Sequence, residues 1–82
     1  MQGSVSFVNP KNGFFIVEVG AGDYTVVEIL GGYDIEIGDI IAGDLDSPGD
    51  GFLRNETQGV IMSVYVQDVH CAGPNAWAIA LR

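Results

Sequence analysis

Apolar residues recur along this chain at a spacing of two, the period of a strand with one buried face. Val5 and Phe7 alternate with Ser4 and Ser6 and predict a first strand. Asn9-Pro10-Lys11-Asn12-Gly13 predicts a turn, since proline presets one φ and glycine accepts a positive one. Phe14 to Val19 reads as a second strand, Gly20-Ala21-Gly22-Asp23 as another turn, and Tyr24 to Leu30 as a third strand. Together they make a three-stranded meander that ends at Gly31-Gly32.

The second half is less regular. Tyr33 to Ile37 leads through Gly38-Asp39 to a strand expected over Ile40 to Leu45. Asp46-Ser47-Pro48-Gly49-Asp50-Gly51 has loop composition, and Phe52 to Gln58 follows no clear period and reads as irregular. Val60, Met62, Val64 and Val66 form the apolar face of a long strand, with Ile61, Ser63, Tyr65 and Gln67 on its mixed opposite face. Ala72-Gly73-Pro74-Asn75 predicts a turn into a last strand carrying Trp77, Ile79 and Leu81 on one face. No long amphipathic helix is visible. The expected class is all-β, a five- to six-stranded antiparallel OB-like barrel, because closure removes exposed strand edges.

Composition sharpens this picture. A chain of 82 residues makes one domain and buries only about 60–65% of its unfolded surface, so it needs an efficient core. Hydrophobic residues make up 48% and charged residues only 17%, which disfavours disorder. Eleven acidic residues face three basic ones, Lys11, Arg54 and Arg82, for a formal charge of −8. That balance opposes broad electrostatic capture of nucleic acid, which depends on Lys and Arg neutralising phosphates. Cys71 is alone, so no intrachain disulfide forms. No secretory leader and no apolar run near the ~20 residues of a membrane span are visible, which makes cytoplasm the expected location, with no membrane partner.

Gly3-Ser-Val-Ser-Phe-Val-Asn-Pro-Lys-Asn-Gly-Phe-Phe-Ile-Val17 resembles the opening of bacterial cold-shock domains, roughly G-T-V-K-W-F-N-P-x-K-G-F-G-F-I, without a gap. Gly32-Tyr33, Gly38-Asp39 with Ile40-Ile41, and Gly73-Pro74-Asn75-Ala76-Trp77-Ala78-Ile79 resemble later motifs of that family in the same order. Residues 1–82 would then be a single cold-shock-like OB domain, with about 44–59 an inserted loop or hairpin. The resemblance implies binding of single-stranded RNA or DNA on a sheet face, with bases stacked on rings. Phe7 and Phe14 stand at two stacking positions, and Lys11 and Arg54 are the candidate phosphate contacts. Ile16, Thr25, Val27 and Glu28 stand where the family has rings or His, while Ser6 and Asn12 replace two lysines.

Those replacements suggest a second function class. A sheet face bearing Ile16, Thr25 and Val27 would be an aliphatic surface rimmed by acids, suited to a protein partner or a second copy. Catalytic chemistry has little to stand on. His70 and Cys71 are adjacent, so a strand would point them to opposite faces. Asp44, Asp46 and Asp50 lack the spacing and closing Glu of a calcium loop and read as a solvated turn. Glu18, Glu28, Glu36 and Asp39 read as solvated faces. The expectation is a non-enzymatic binding module with no cofactor and no metal.

Overall fold

Six strands close into a barrel in a computed structural model that describes every residue from Met1 to Arg82. They are β1 (Gln2–Asn9), β2 (Phe14–Gly20), β3 (Asp23–Ile29), β4 (Ile40–Gly43), β5 (Gly49–Asn55) and β6 (Val60–Cys71), followed by one helix, α1 (Gly73–Ala80). Around the ring the order is β1-β2-β3-β6-β5-β4, and every pairing is antiparallel. A closed ring can be antiparallel throughout only with an even number of strands, so β5 is the element that makes uniform pairing geometrically possible. The all-β class and the OB-like closed barrel expected from the sequence are present. No helix is long and apolar enough to cross a membrane.

The topology has a simple internal relation. Exchanging β1 with β4, β2 with β5 and β3 with β6 leaves all six neighbour relations unchanged. The barrel is therefore two three-stranded meanders, joined along the β1/β4 and β3/β6 seams and connected by residues 30–39.

Two elements differ from the sequence expectation. Gly49–Asn55 is a full strand paired on both sides, although its segment reads as loop and irregular chain. Its inward positions are Gly49, Gly51, Leu53 and Asn55, so the alternation carries one large apolar residue and no β-branched one. The segment 44–59 thus contributes a barrel strand. The final segment, expected as a strand, is α1. Trp77, Ile79 and Leu81 satisfy a period of two over too short a window to decide. Pro74 in the first turn and Ala76, Ala78 and Ala80 favour the helix instead.

Barrel and helix create two separate apolar clusters. Val5, Phe15, Val17, Val27, Ile41, Leu45, Leu53, Met62, Val64 and Val66 fill the interior. Ile16, Val26, Cys71, Ala76 and Ala80 lie between the outer sheet face and α1. Val5 and Phe7 would share a face in a regular strand. A bulge between them sends Val5 inward and Phe7 outward. Gly3 permits the close approach of β1 to β2, since a Cβ there would run into the Glu18 carbonyl.

One end of the barrel is closed by a buried carboxylate. Gly38, at φ 95°, donates its N–H to the Val5 carbonyl at 2.8 Å and turns the chain so that Asp39 points inward. The side-chain amides of Asn55 and Gln58 donate to Asp39 Oδ2 at 2.8 and 2.7 Å, and the Glu36 N–H donates at 3.1 Å. Burial pushes the Asp39 carboxyl up, but these three hydrogen bonds outweigh it and hold the group below its ordinary value of 3.8. A carboxyl held low when folded adds stability above its unfolded pKa and loses it as pH falls through the folded value. The urea midpoint of the wild type therefore falls below about pH 4 more steeply than that of Asp39→Asn. Asp39→Ala strands the buried Asn55 amide and costs about 1–3 kcal/mol at neutral pH, read by urea denaturation. Equal acid slopes for wild type and Asp39→Asn would contradict this account.

Candidate functional site

The outer face of the first meander carries Phe7, Phe14, Ile16, Tyr24 and Val26, Cys71 at the end of β6 adjoins it across the seam, and α1 lies across them. Ala76 and Ala80 sit one helical turn apart with no exposed surface, and their small size lets the helix approach the sheet closely. The Trp77 ring packs on Phe7 with centroids 4.2 Å apart and planes tilted by 47°. An isolated eight-residue helix is below the ~12–15 residues needed to persist in water, so docking is what keeps α1 helical.

The β1–β2 turn anchors the end of this helix. Asn9 and Asn12 each donate a side-chain N–H to the Ala80 carbonyl, at 2.9 and 3.0 Å, and Asn12 also donates to the Arg82 carbonyl at 3.1 Å. Last-turn carbonyls lack intrahelical partners, and these amides supply them. Their oxygens accept from the Lys11 and Phe14 N–H groups, which fixes the turn. Asn12, which the cold-shock resemblance sets at a lysine position, holds a piece of the chain's own backbone.

The four residues proposed for nucleic acid are not brought together. Phe7 and Phe14 are half-buried against α1. Lys11 is exposed in the turn. Arg54 projects from β5, the strand opposite β2 in the ring, and its Nε donates to Glu56 Oε1 at 3.0 Å.

The aliphatic surface expected from Ile16, Thr25 and Val27 also needs correction, because all three have no exposed surface. They do not share a face. Ile16 lies under α1, Val27 fills the barrel, and Thr25 donates its hydroxyl to the Leu45 carbonyl at 2.8 Å. Ile16 pairs with Val26 and Glu18 with Tyr24, so the outward residues of β3 are Tyr24, Val26 and Glu28. The resemblance set this strand one residue out of step, and a one-residue slip reverses every side chain.

His70, at φ 51° where β6 ends, has Nδ1 3.1 Å from Asp23 Oδ2, and both groups are exposed. Burial, aided by the charges of Asp68 and Asp23, pushes the neighbouring Cys71 thiol up to about 11. The Glu18 carboxylate raises Tyr24, whose hydroxyl donates to it at 3.3 Å. Asp44, Asp46 and Asp50 belong to no cluster of three metal-ligating side chains. A cavity of about 260 Å³ at the barrel mouth, lined by Val8, Phe15, Ile29, Tyr33 and Ile35 among others, is smaller than the usual ligand pocket.

A row of exposed apolar side chains lies on the second meander and the end of β3. Phe52 on β5 is 71% exposed and Ile61 on β6 is 64% exposed, with Tyr65 and Leu30 also exposed. Pairing places them in rows across three strands. Leu30 donates its N–H to the Ser63 carbonyl, and Ser63 faces Phe52. In the next row Tyr65 stands between Glu28 and Asp50, and on the other side Ile61 faces Arg54. Ile61 and Tyr65 are visible in the sequence as parts of a mixed face. Phe52 is not, because its strand reads as irregular.

No protein family, curated protein or solved structure matches this chain.

The docked helix gives a direct prediction. Cys71 in the wild type resists an aromatic disulfide reagent at neutral pH, because it is buried and protonated. Ala76→Glu places a charge in the apolar contact, frees α1 and makes the thiol react, while the barrel keeps its strand circular dichroism. Asn12→Ala, which removes two anchoring bonds, gives an intermediate rate. A wild-type thiol that reacts at the rate of an unfolded chain would refute this docking.

Proposed function

We propose that this chain is a non-enzymatic binding module that docks another protein on the outer face of β5 and β6. The observation that carries the reading is the exposure of Phe52, Ile61, Tyr65 and Leu30 together on a paired sheet. Side chains on strands of a closed barrel are held in fixed relative positions, so little ordering cost attends their use as anchors. Aromatic residues at the centre of a patch are the usual source of binding energy in protein interfaces. The module needs no cofactor in this reading, and the lone buried thiol suits a reducing compartment such as the cytoplasm.

Three observations favour protein over single-stranded nucleic acid. The sheet face bearing Phe7 and Phe14 is occupied by α1. Arg54 is bonded to Glu56. The chain carries a formal charge of −8. The cold-shock resemblance then reflects an opening meander kept as scaffold and covered by its own helix.

Two titrations test the reading. Trp77 touches Phe7, so its fluorescence reports on that face, and short single-stranded oligonucleotides at low salt leave it unchanged. A panel of peptides spanning apolar, acidic and basic compositions yields at least one that shifts the amide resonances of Leu30, Phe52, Ile61 and Tyr65. Phe52→Ser removes that response and changes stability by no more than about 0.5 kcal/mol, as expected of an exposed side chain. Shifts confined to β1, β2 and α1, or quenching of Trp77 by oligonucleotides, would defeat the proposal.

A further inference from the structure

We infer that the partner docks as a short amphipathic helix whose apolar side chains are flanked by Lys or Arg. This rests on the docking role proposed above and commits it to one kind of occupant. Two independent features point there, the internal relation of the barrel and the charges around the patch.

The first is topological. The helix α1 lies over β2, β3 and β6. Under the strand exchange that preserves every pairing, these become β5, β6 and β3. Those are the strands that present Phe52, then Ile61 and Tyr65, while Leu30 immediately follows β3. The barrel thus has two corresponding outer faces, and the chain covers one with its own helix. The other has the same strand relations and exposed aromatic and aliphatic side chains. A helix supplied by another chain fits that vacancy as α1 fits its own site.

The second feature is charge. Tyr65 is flanked across the sheet by Glu28 on one side and Asp50 on the other. Gln67 donates to Glu28 at 2.7 Å, which holds that carboxylate in place without neutralising it. Asp50 is exposed, and the one cation nearby, Arg54, is matched by Glu56. The rim is therefore net negative around an exposed phenol ring. A lysine or arginine laid on Tyr65 gains both carboxylates and a cation–π contact, while apolar neighbours pack on Phe52, Ile61 and Leu30. A second copy is a poor occupant, since it would bring the same acidic rim and another formal charge of −8 to the contact.

The test uses the full chain and three synthetic helical peptides sharing one apolar face, with Lys/Arg, Gln or Glu on the flanks. Calorimetry and amide shifts are read at low and high salt. The basic peptide binds at Phe52, Ile61 and Tyr65, weakens as salt rises, and loses about tenfold in affinity when Glu28→Gln and Asp50→Asn are combined. The acidic peptide does not bind, and Phe52→Ser abolishes binding of the basic one. Asp50 and Phe52 are exposed and Glu28 is partly so, and a urea midpoint close to that of the wild type confirms that each variant is folded. Equal binding of the Gln and Lys/Arg peptides, untouched by the charge variants, would overturn the cationic partner while leaving the docking role standing. A dimer in sedimentation that Phe52→Ser disperses would assign the face to a second copy and overturn the inference. A response at this face to single-stranded oligonucleotides would also overturn it. Silence from every peptide would remove both the inference and the role on which it rests.

Discussion

Closure of the backbone ring is the constraint from which the rest follows. Each strand is hydrogen-bonded on both sides, and uniform antiparallel pairing requires the sixth strand that Gly49–Asn55 supplies. Once the ring is closed, every side chain is committed to one of two environments. Inward residues must fill a narrow interior, and outward residues face water unless something covers them. Large outward apolar side chains therefore carry information about function that inward ones do not.

Two solutions to that problem coexist in one small molecule. On the first meander, Phe7, Phe14, Ile16 and Val26 are covered by α1, and the bulge before Phe7 is what turns that ring toward the helix. Asn9 and Asn12 complete the arrangement by satisfying the helix's terminal carbonyls. On the second meander, Phe52 and Ile61 stay in solvent. The covered face meets alanines and a tryptophan, whereas the open one leaves its aromatic and aliphatic side chains in water.

The sequence announced the barrel because β1, β2, β3 and β6 are rich in the Val, Ile and Phe that favour strands, and because β6 alternates with Met62, Val64 and Val66 inward. It concealed β5 because Gly51 and Asn55 take two inward positions there, and inward glycine and asparagine look like a loop. Asn55 is inside for a reason that no one-dimensional pattern reveals, namely the Asp39 carboxylate contributed by a residue distant in sequence. The last segment misled through its length. Trp77, Ile79 and Leu81 alternate, yet Ala76 and Ala80 are the residues that meet the sheet. The candidate site was legible in part. Ile61 and Tyr65 stood out on a mixed strand face, whereas Ile16, Thr25 and Val27 were drawn together by a family register that β3 does not keep.

The connector between the two meanders has one more implication. Gly31 and Gly32 are exposed and belong to no strand, so the covalent bond between the halves crosses open solvent. The rest of the connector is fixed to the barrel, since Ile35 packs against the core, Gly38 donates to the Val5 carbonyl and Asp39 is buried. The seams it brings together are noncovalent and self-specifying. The two meanders are thus joined covalently by this connector and otherwise by the β1/β4 and β3/β6 seams.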